Sequence, residues 1–387
     1  MDHSKVIYFD NNATTRIAPE VYEAMIPYLT EYYGNPSSIH RFGGQLAARI
    51  EEAREQLASL LGAHSTELIF TSCGTESDSA AILSALNICP KRRKAVISKV
   101  EHPAVLNLCK DLERRNYRIS EIPVDAKGRL DMDRARDMID GETAVVSVMW
   151  ANNETGNIYP VEELAELAHK NGALFHTDAV QAVGKIPMSL KDMNIDMLSL
   201  SGHKFHAPKG IGALYVKRGI RFHPFLIGGH QERGRRAGTE NIAGIVGLGK
   251  AAELALAHIG EENTRVRAIR DHLEESVLEK IPSVRINGDR EHRLPNTSNI
   301  SFEYIEGESI LMLMDLHSIC ASSGSACTTG SLEPSHVLRA MGIPYTAAHG
   351  AIRFSFSRYN SMEEVDFLME KLPSAIEKLR KISPYWK

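Results

Sequence analysis

Apolar residues recur along the first two thirds of the chain in two alternating patterns, short continuous runs and longer runs with three- and four-residue spacing. Segment 45–61 shows the longer pattern best, and Gly62 follows it as a helix stop. The short runs predict strands at 67–71, 95–98, 144–149, 173–177, 197–200 and 211–216. This alternation, from about residue 45 to 260, predicts an α/β domain with a largely parallel sheet.

The character of the chain changes in its last third, where strands become shorter. The elements predicted there are helices at 263–279 and 362–382 and strands at 297–302 and 352–356. We predict a large domain over 16–255 and a small domain formed by 1–15 and 256–387. No internal repeat or long linker lies between them, so the two domains should pack closely.

Composition narrows the range of partners. The chain has 387 residues, of which 43% are hydrophobic, and this is enough for two domains. Its net charge of −4 gives no long-range attraction for nucleic acid or anionic lipid, so we expect small molecules and proteins as partners. We expect no membrane partner, because no signal-like leader or run of membrane-spanning length is evident.

Cysteine usage predicts a reducing environment. The cysteines form an odd, scattered set without Cys-x-x-Cys spacing: Cys73, Cys89, Cys109, Cys320 and Cys327. Such a set suits neither a disulfide framework nor a zinc site, so a cytoplasmic location is expected. The pair His203 and His206 lacks a supporting cluster of cysteines or carboxylates, and we predict no metal site.

Polar residues directly follow five of the predicted strands. These groups are 72–76, Glu101 with His102, 152–154, Asp178, and 201–204. In an open α/β sheet, ligands bind beyond the carboxyl ends of the strands. We therefore expect all five groups to face one crevice.

Two of these groups suit a phosphorylated, electron-withdrawing cofactor, although each has a structural alternative. Gly74 and Thr75 open a helix-compatible stretch that can hold a phosphate, but an ordinary helix cap is the better interpretation of this segment in isolation. Asp178 ends an apolar strand, where a carboxylate is costly unless paired. A pyridinium nitrogen is one such partner, and a satisfied structural aspartate is an equal alternative.

Lys204 and His102 are candidates for covalent and proton chemistry. A lysine that forms a Schiff base must lose its proton, and lowering its pKa from ~10.4 to ~8 costs about 3 kcal/mol. Desolvation and nearby cations can supply this, although most lysines are simply solvated. His102 has an imidazole suited to stacking and proton movement, while a buried structural histidine is the alternative.

Five segments carry a resemblance to a known family: YFDNNATT at 8–15, GNPSS at 34–38, HTDAVQ at 176–181, SGHK at 201–204 and RRAGTEN at 235–241. Together they resemble the NifS-type cysteine desulfurases of the class V, fold-type I pyridoxal-phosphate enzymes, with the IscS form as near relative. The resemblance covers essentially the whole chain. It implies an α/β fold with a mainly parallel mixed sheet in the large domain and a smaller α+β domain.

The resemblance also implies roles for individual residues around pyridoxal 5'-phosphate. Lys204 would bind the cofactor covalently, Asp178 would pair with the pyridine nitrogen, and His102 would stack on the ring. Asn153 and Gln181 would lie near the ring hydroxyl.

The expected phosphate site includes a second subunit. The resemblance assigns the phosphate to Gly74, Thr75, Ser201 and His203, joined by Thr239 reaching over from a partner copy. It therefore implies a homodimer.

The segment around Cys327 decides among the reactions that such a cofactor supports. Residues 322–331 are small, with two glycines around one thiol, so flexibility is the natural expectation for this loop, predicted at about 321–332. A contour of roughly 30 Å would let its tip swing between a buried site and a surface acceptor. A lone cysteine is otherwise more often a small buried hydrophobe. The resemblance makes Cys327 the nucleophile that leaves as a persulfide.

The guanidinium of Arg353 suits a substrate carboxylate and could equally form a structural ion pair. The resemblance implies that Arg353 binds the substrate carboxylate, with Asn35 as helper. The implied reaction converts L-cysteine to L-alanine and passes sulfur through Cys327 to a NifU- or IscU-like iron–sulfur scaffold, for nitrogenase-type cluster assembly. Selenocysteine lyase and other class V enzymes are alternatives that would not depend on Cys327. A non-catalytic binding module is a third, against which intact Lys204, Asp178 and Cys327 argue.

Overall fold

The structure is a computed structural model, and it describes residues 6–323 and 334–386. The strands in this part of the chain are β1 (Ile7–Tyr8), β2 (Leu68–Thr71), β3 (Lys94–Ser98), β4 (Arg118–Ile122), β5 (Thr143–Ser147), β6 (Leu174–Asp178), β7 (Met197–Ser201), β8 (Gly212–Val216), β9 (Val284–Asn287), β10 (Thr297–Phe302), β11 (Ile319–Cys320) and β12 (Ala351–Ser355).

Helices connect and cover these strands. They are α1 (Pro19–Thr30), α2 (Arg41–Gly44), α3 (Leu46–Leu61), α4 (Gly74–Ile88), α5 (Pro103–Arg114), α6 (Met132–Met138), α7 (Val161–Lys170), α8 (Ile242–Glu261), α9 (Arg267–Lys280), α10 (Gly307–Asp315), α11 (His336–Ala340), α12 (Tyr345–His349) and α13 (Met362–Ile382). A π-helical turn, Glu262–Val266, joins α8 to α9, and a single 3-10 turn, Gly202–Lys204, follows β7.

A seven-stranded sheet with the order β2-β8-β7-β6-β5-β3-β4 forms the centre of the fold. Only β8 runs against its neighbours, so the other six strands share one direction. Alternate residues of each strand face opposite layers. Val96 of β3 packs in the core that contains α3, α7 and α8, while Ala95 and Ile97 pack in the core beside α4 and α5. The predicted α/β class with a mainly parallel mixed sheet is confirmed.

The smaller sheets lie toward the ends of the chain. Strand β10 is paired antiparallel with β9 and β12, and β1 is paired parallel with β11. Phe9 packs in a second core with side chains of α9, β12 and α13, and its ring lies 5.1 Å from that of Phe356. The N-terminal segment is thus joined to the C-terminal third. The predicted division at residue 255 falls inside α8, and the domain boundaries stay a prediction.

The predicted strands are present with ends shifted by at most two residues. The short strands β9 and β11 were not predicted, and β4 was missed as well. Only Ile122 of its five residues is buried, because β4 lies at the edge of the sheet. Edge strands with polar side chains lack the apolar run on which the prediction depends.

One helical stretch departs from the expectation that no run reaches membrane-spanning length. Ile242–Lys280 is long and apolar enough, with a mean hydropathy of 1.5 over its most apolar window. Over half of that window, 56%, is buried inside the protein, and α8 packs against α1 and α3. Contacts within the fold therefore account for the apolar character of over half of this window.

Gly62 ends α3 with a left-handed backbone, φ 59° and ψ 42°. A Cβ there would lie 2.8 Å from the Cα of Ser189. We expect Gly62→Ala to lower the free energy of unfolding by about 1–2 kcal/mol, because both the φ angle and the contact disfavour a side chain. Urea denaturation measures this. Gly141→Ala is the control, because Gly141 is exposed and an added Cβ would have nothing within 4 Å. Equal stability of the two variants would contradict the expected strain at residue 62.

Candidate active site

The carboxyl ends of five parallel strands meet at one edge of the sheet and carry the predicted polar groups. They are followed by Gly74 at the start of α4, His102 before α5, Asn153, Asp178 itself, and Lys204 in the turn after β7. The shared direction of β2, β3, β5, β6 and β7 brings these groups to the same edge.

Asn12 is the residue on which this arrangement centres, and the sequence did not single it out. Its backbone oxygen accepts hydrogen bonds from Lys204 Nζ at 2.6 Å and from Gln181 Nε2 at 3.0 Å. Its side-chain Nδ2 donates to the oxygen of Asn153 at 3.2 Å. Lys204 Nζ also donates to the oxygen of Ala13 at 2.9 Å. The available signal was its place in segment 8–15, one of the five that carry the family resemblance.

Burial determines the charge of the groups around Lys204. Burial raises the pKa of Asp178 to about 6, and the Lys204 ammonium opposes this rise. Burial, together with Lys204, lowers the pKa of both His102 and His203 to about 4. Both imidazoles are therefore neutral at neutral pH. The attraction of Lys204 is too weak to return the pKa of Asp178 to the usual value of an aspartate.

The N-terminus of α4 lies against the strand ends and provides an anion site. A Cβ on Gly74 would lie 2.7 Å from Val180 and 3.6 Å from the Cβ of Ser201. Ser201 Oγ is buried and has no hydrogen-bond partner among the described residues, and Thr75 is exposed in the first turn. His203 Nδ1 lies 3.1 Å from the Thr14 hydroxyl. The free N–H groups of the helix start and the unpaired serine hydroxyl suit a phosphate.

Arg353 lies beside Asn153, and its guanidinium is already paired with other protein groups. It is buried, and its two terminal nitrogens bind Asp10 Oδ1 at 2.7 Å and the oxygen of Asn153 at 3.0 Å. Its Nε is buried and has no partner among the described residues. The role of Arg353 in binding a substrate carboxylate stays a prediction.

Three predicted site residues are not placed next to Lys204 at the sheet edge by the structure. The Asn35 side chain accepts a hydrogen bond from Ser37 N at 2.9 Å in an exposed turn, and Thr239 is exposed on the segment after Arg236. Cys327 lies outside the described residues. The assigned roles of all three stay predictions.

The chain on both sides of residues 324–333 is nevertheless fixed against the site. On one side, Ser322 exchanges backbone hydrogen bonds with Arg353, at 2.6 and 3.2 Å. On the other, Ser335 caps α11 and donates to the carboxylate of Glu154 at 2.5 Å. Glu154 directly follows Asn153, and burial raises its pKa to about 7. Both flanks thus end beside residues expected to bind cofactor or substrate.

The family model for class-V aminotransferases matches residues 7–368. The chain belongs to the class-V aminotransferase family. Among curated relatives, it is 62% identical to a cysteine desulfurase of Gluconacetobacter diazotrophicus over 382 residues, covering 98% of this chain and 96% of the relative. It is 58% identical to cysteine desulfurase NifS of Azotobacter vinelandii over 381 residues, covering 98% and 95%. The resemblance predicted from the motifs is confirmed.

Solved structures of class-V relatives have the same fold. A NifS-like protein superposes with a TM-score of 0.91 at 38% identity, covering 97% of this chain and 100% of that one. SspA in complex with cysteine superposes with a TM-score of 0.81 at 34% identity, covering 92% and 100%.

Class-V aminotransferases of the cysteine desulfurase kind use pyridoxal phosphate, and the site has the groups for it. Asp178 is a buried carboxylate that a pyridinium would neutralise, and Ser201 offers an unused hydroxyl beside the start of α4. Lys204 is held at the same edge. Among the described residues, no group of three or more His, Cys, Asp or Glu could hold a metal ion.

Three ionisable residues near the site are buried, and the sequence assigned no role to any of them. They are Glu101, Glu154 and Lys185. Glu101 accepts from Ser98 at 2.5 Å and from the backbone of Met149, and burial raises its pKa to about 8. Glu101 and Glu154 belong to the polar groups that were predicted to face the crevice, whereas nothing in the sequence indicated that Lys185 is buried there.

We expect Ser201→Ala to leave the cofactor-free protein as stable as the wild type, or more so, because its hydroxyl is buried without a partner. The same variant should bind pyridoxal phosphate about tenfold more weakly, since roughly 1.4 kcal/mol is a typical net value for one such hydrogen bond. Urea denaturation and cofactor titration measure the two effects.

Ser199→Ala is the matched control on the same strand, because Ser199 Oγ is bonded to His176 Nε2 at 2.9 Å. Its loss should destabilise the cofactor-free protein by about 1–3 kcal/mol. Destabilisation by Ser201→Ala of the same size would mean that its hydroxyl is already satisfied.

Proposed function

We propose that this chain is a pyridoxal-phosphate-dependent cysteine desulfurase that converts L-cysteine to L-alanine and takes the sulfur onto Cys327. The attachment of both flanks of residues 324–333 beside the site, at Arg353 and Glu154, is the observation that carries the proposal. The relatives named cysteine desulfurase, at about 60% identity over nearly the whole chain, support the same reaction.

Each residue has a definite part in binding or proton movement. When bound, the cofactor withdraws electrons from the substrate carbon next to the amine. Lys204 and His102 are the groups that would hold and move protons at that carbon. Asp178 would pair with the pyridine nitrogen and keep it protonated, and Arg353 would orient the substrate carboxylate.

The sulfur step is a transfer between two thiols. The Cys327 thiolate attacks the sulfur of the substrate, a sulfur–sulfur bond forms, and the substrate's carbon–sulfur bond breaks. A proton from the site completes the methyl group of alanine, and Cys327 is left as a persulfide. No outside oxidant is needed, because the leaving carbon takes the electron pair of the broken bond.

A homodimer would complete the site. Large apolar side chains are exposed in the 33–42 and 225–227 segments, where Tyr33 is 75%, Ile39 105% and Ile227 88% accessible. Asn35 lies within one of these segments, and Thr239 follows the other. Burial of both surfaces against a second copy would cover these side chains and bring Thr239 of one copy toward the phosphate of the other.

We further propose that the persulfide passes to a NifU- or IscU-like iron–sulfur scaffold in nitrogenase-type assembly, which the identity to NifS supports. A reducing, cytoplasmic setting accords with the four described cysteines, which are free.

Cys327→Ala should retain cofactor and cysteine binding but lose alanine formation, because it removes only the proposed sulfur acceptor. Wild type treated with cysteine without reductant should gain one sulfur atom on the peptide that contains Cys327, as measured by mass spectrometry. Cys320→Ala, at the end of β11, is the control and should keep the activity. Alanine production by Cys327→Ala near the wild-type rate would favour the lyase alternative.

Thr239→Val should weaken retention of the cofactor, since a hydrogen bond to phosphate across the dimer would be lost at a cost of about 1–3 kcal/mol. Gel filtration with absorbance detection measures dimer and cofactor together. Thr264→Val, whose hydroxyl bonds only within its own helix, should retain cofactor as the wild type does. A monomer with full cofactor affinity would exclude a shared site.

A further inference from the structure

A second lysine lies behind Lys204. Lys185 is 5% exposed and four residues after Gln181. Its Nζ donates to Gln181 Oε1 at 2.8 Å and approaches Asn12 Oδ1 at 3.4 Å. The backbone oxygen of Asn12 in turn accepts hydrogen bonds from both Gln181 Nε2 and Lys204 Nζ. The two lysines therefore share Asn12, one on its side chain and the other on its backbone oxygen.

Lys185 and Lys204 also line one cavity between the sheet edge and α8. The other charged or titratable groups that line it are His206, His258, Glu262 and Arg358. No carboxylate of the described residues lies within 4.0 Å of Lys185 Nζ, and Glu262 is the acidic group that acts on it most directly. A buried ammonium is costly without a close counter-ion, so this lysine needs an explanation other than a salt bridge.

We propose that Lys185 is a positioning residue that keeps the Lys204 amine neutral, and therefore nucleophilic, and that fixes the orientation of the Gln181 amide. The inference rests on the proposed function only in taking Lys204 as the residue that binds the cofactor.

Two neighbouring ammonium groups repel each other, and this repulsion disfavours the charged form of each. Burial and the Lys204 ammonium lower the pKa of Lys185 to about 7. Repulsion acts equally in the other direction, so a protonated Lys185 favours loss of the proton from Lys204. A neighbouring cation is one established way to activate a lysine for imine formation. When Lys204 gives up its charge, the repulsion on Lys185 ends, and Lys185 can hold the proton.

The remaining groups around the two lysines do not replace this effect. Asp178 favours a charged Lys204, while His102 and His203 are neutral at neutral pH. Facing Lys185 are Lys204, Arg353 and Glu262, with His206, His258 and Arg358 around the cavity. Arg353 is paired with Asp10, which reduces its effect. Among these cations, Lys185 has a pKa near neutral, so its protonation can change when that of Lys204 changes.

The hydrogen bond to Gln181 gives Lys185 its second effect. Because Lys185 donates to Oε1, the amide nitrogen of Gln181 must face the oxygen of Asn12 and the site. Gln181 is expected to lie near the cofactor hydroxyl. Without Lys185, the amide could rotate and present its oxygen instead.

The test measures the reactivity of Lys204 in cofactor-free protein. Competitive labelling with acetic anhydride across a pH series, with mass-spectrometric quantification of the Lys204 peptide, gives the midpoint of its titration. In Lys185→Met and Lys185→Gln, the midpoint should rise by about one pH unit, which slows labelling at pH 7 about tenfold. Lys185→Arg retains a positive charge at every pH of the series, so the midpoint should not rise above that of the wild type.

The variants separate charge from hydrogen bonding. Gln can still donate to Gln181, so a wild-type profile in Lys185→Gln, or an unchanged midpoint in Lys185→Met, would overturn the charge argument. Lys94→Met is the control for loss of a buried lysine away from the site, because Lys94 pairs with Asp140 at 2.7 Å and has no part in this cavity. It should leave the Lys204 midpoint unchanged.

Failure of this inference is distinguishable from failure of the proposed function. Borohydride reduction of the loaded wild type should fix the cofactor on Lys204, as mapped by mass spectrometry. If the cofactor is fixed on another residue, the proposed function fails. If it is fixed on Lys204 but the Lys185→Met midpoint does not move, only the role of Lys185 fails.

Discussion

Lys204 lies against the carbonyl oxygens of Asn12 and Ala13, and this contact joins parts of the chain that are far apart in sequence. Asn12 also binds Thr297 of β10 through its side chain, and its backbone N–H donates to Ser355 of β12. The strand ends of the large sheet and the antiparallel sheet therefore meet at one residue. Any shift between the two sheets would move the Lys204 amine, so the packing of the C-terminal third sets the geometry of the site.

Burial is the second constraint, because it determines which groups are charged. The same desolvation that raises the pKa of Asp178, Glu101 and Glu154 lowers that of Lys185 and His102. Neutral forms are thus favoured throughout the site, and each proton that moves there changes the electrostatic balance of its neighbours. Sites with this property can exchange protons near neutral pH, which chemistry at a substrate carbon requires.

The sequence was sufficient to predict which residues lie at the strand ends, but not the ion pairs and the burial of charged side chains around them. Apolar runs located β2, β3, β5, β6 and β7, and the polar residues after them could be assigned to one edge because parallel strands share direction. Arg353 was recognised, yet its pairing with Asp10 could not be foreseen, since the two are 343 residues apart. Lys185 was missed, and the burial of Glu154 within the predicted group 152–154 was not foreseen, because burial of a single charge depends on tertiary packing.

The unsatisfied groups of the site explain why the fold and the cofactor depend on each other. Asp178 is buried without a cation that fully offsets its cost, and Ser201 Oγ is buried without a partner among the described residues. A ligand that supplies a positive ring nitrogen and a phosphate relieves both costs at once. Since such a ligand binds only the folded chain, its binding free energy adds to the stability of the fold. The buried carboxylate and the unpaired hydroxyl therefore favour binding of a ligand with these two groups.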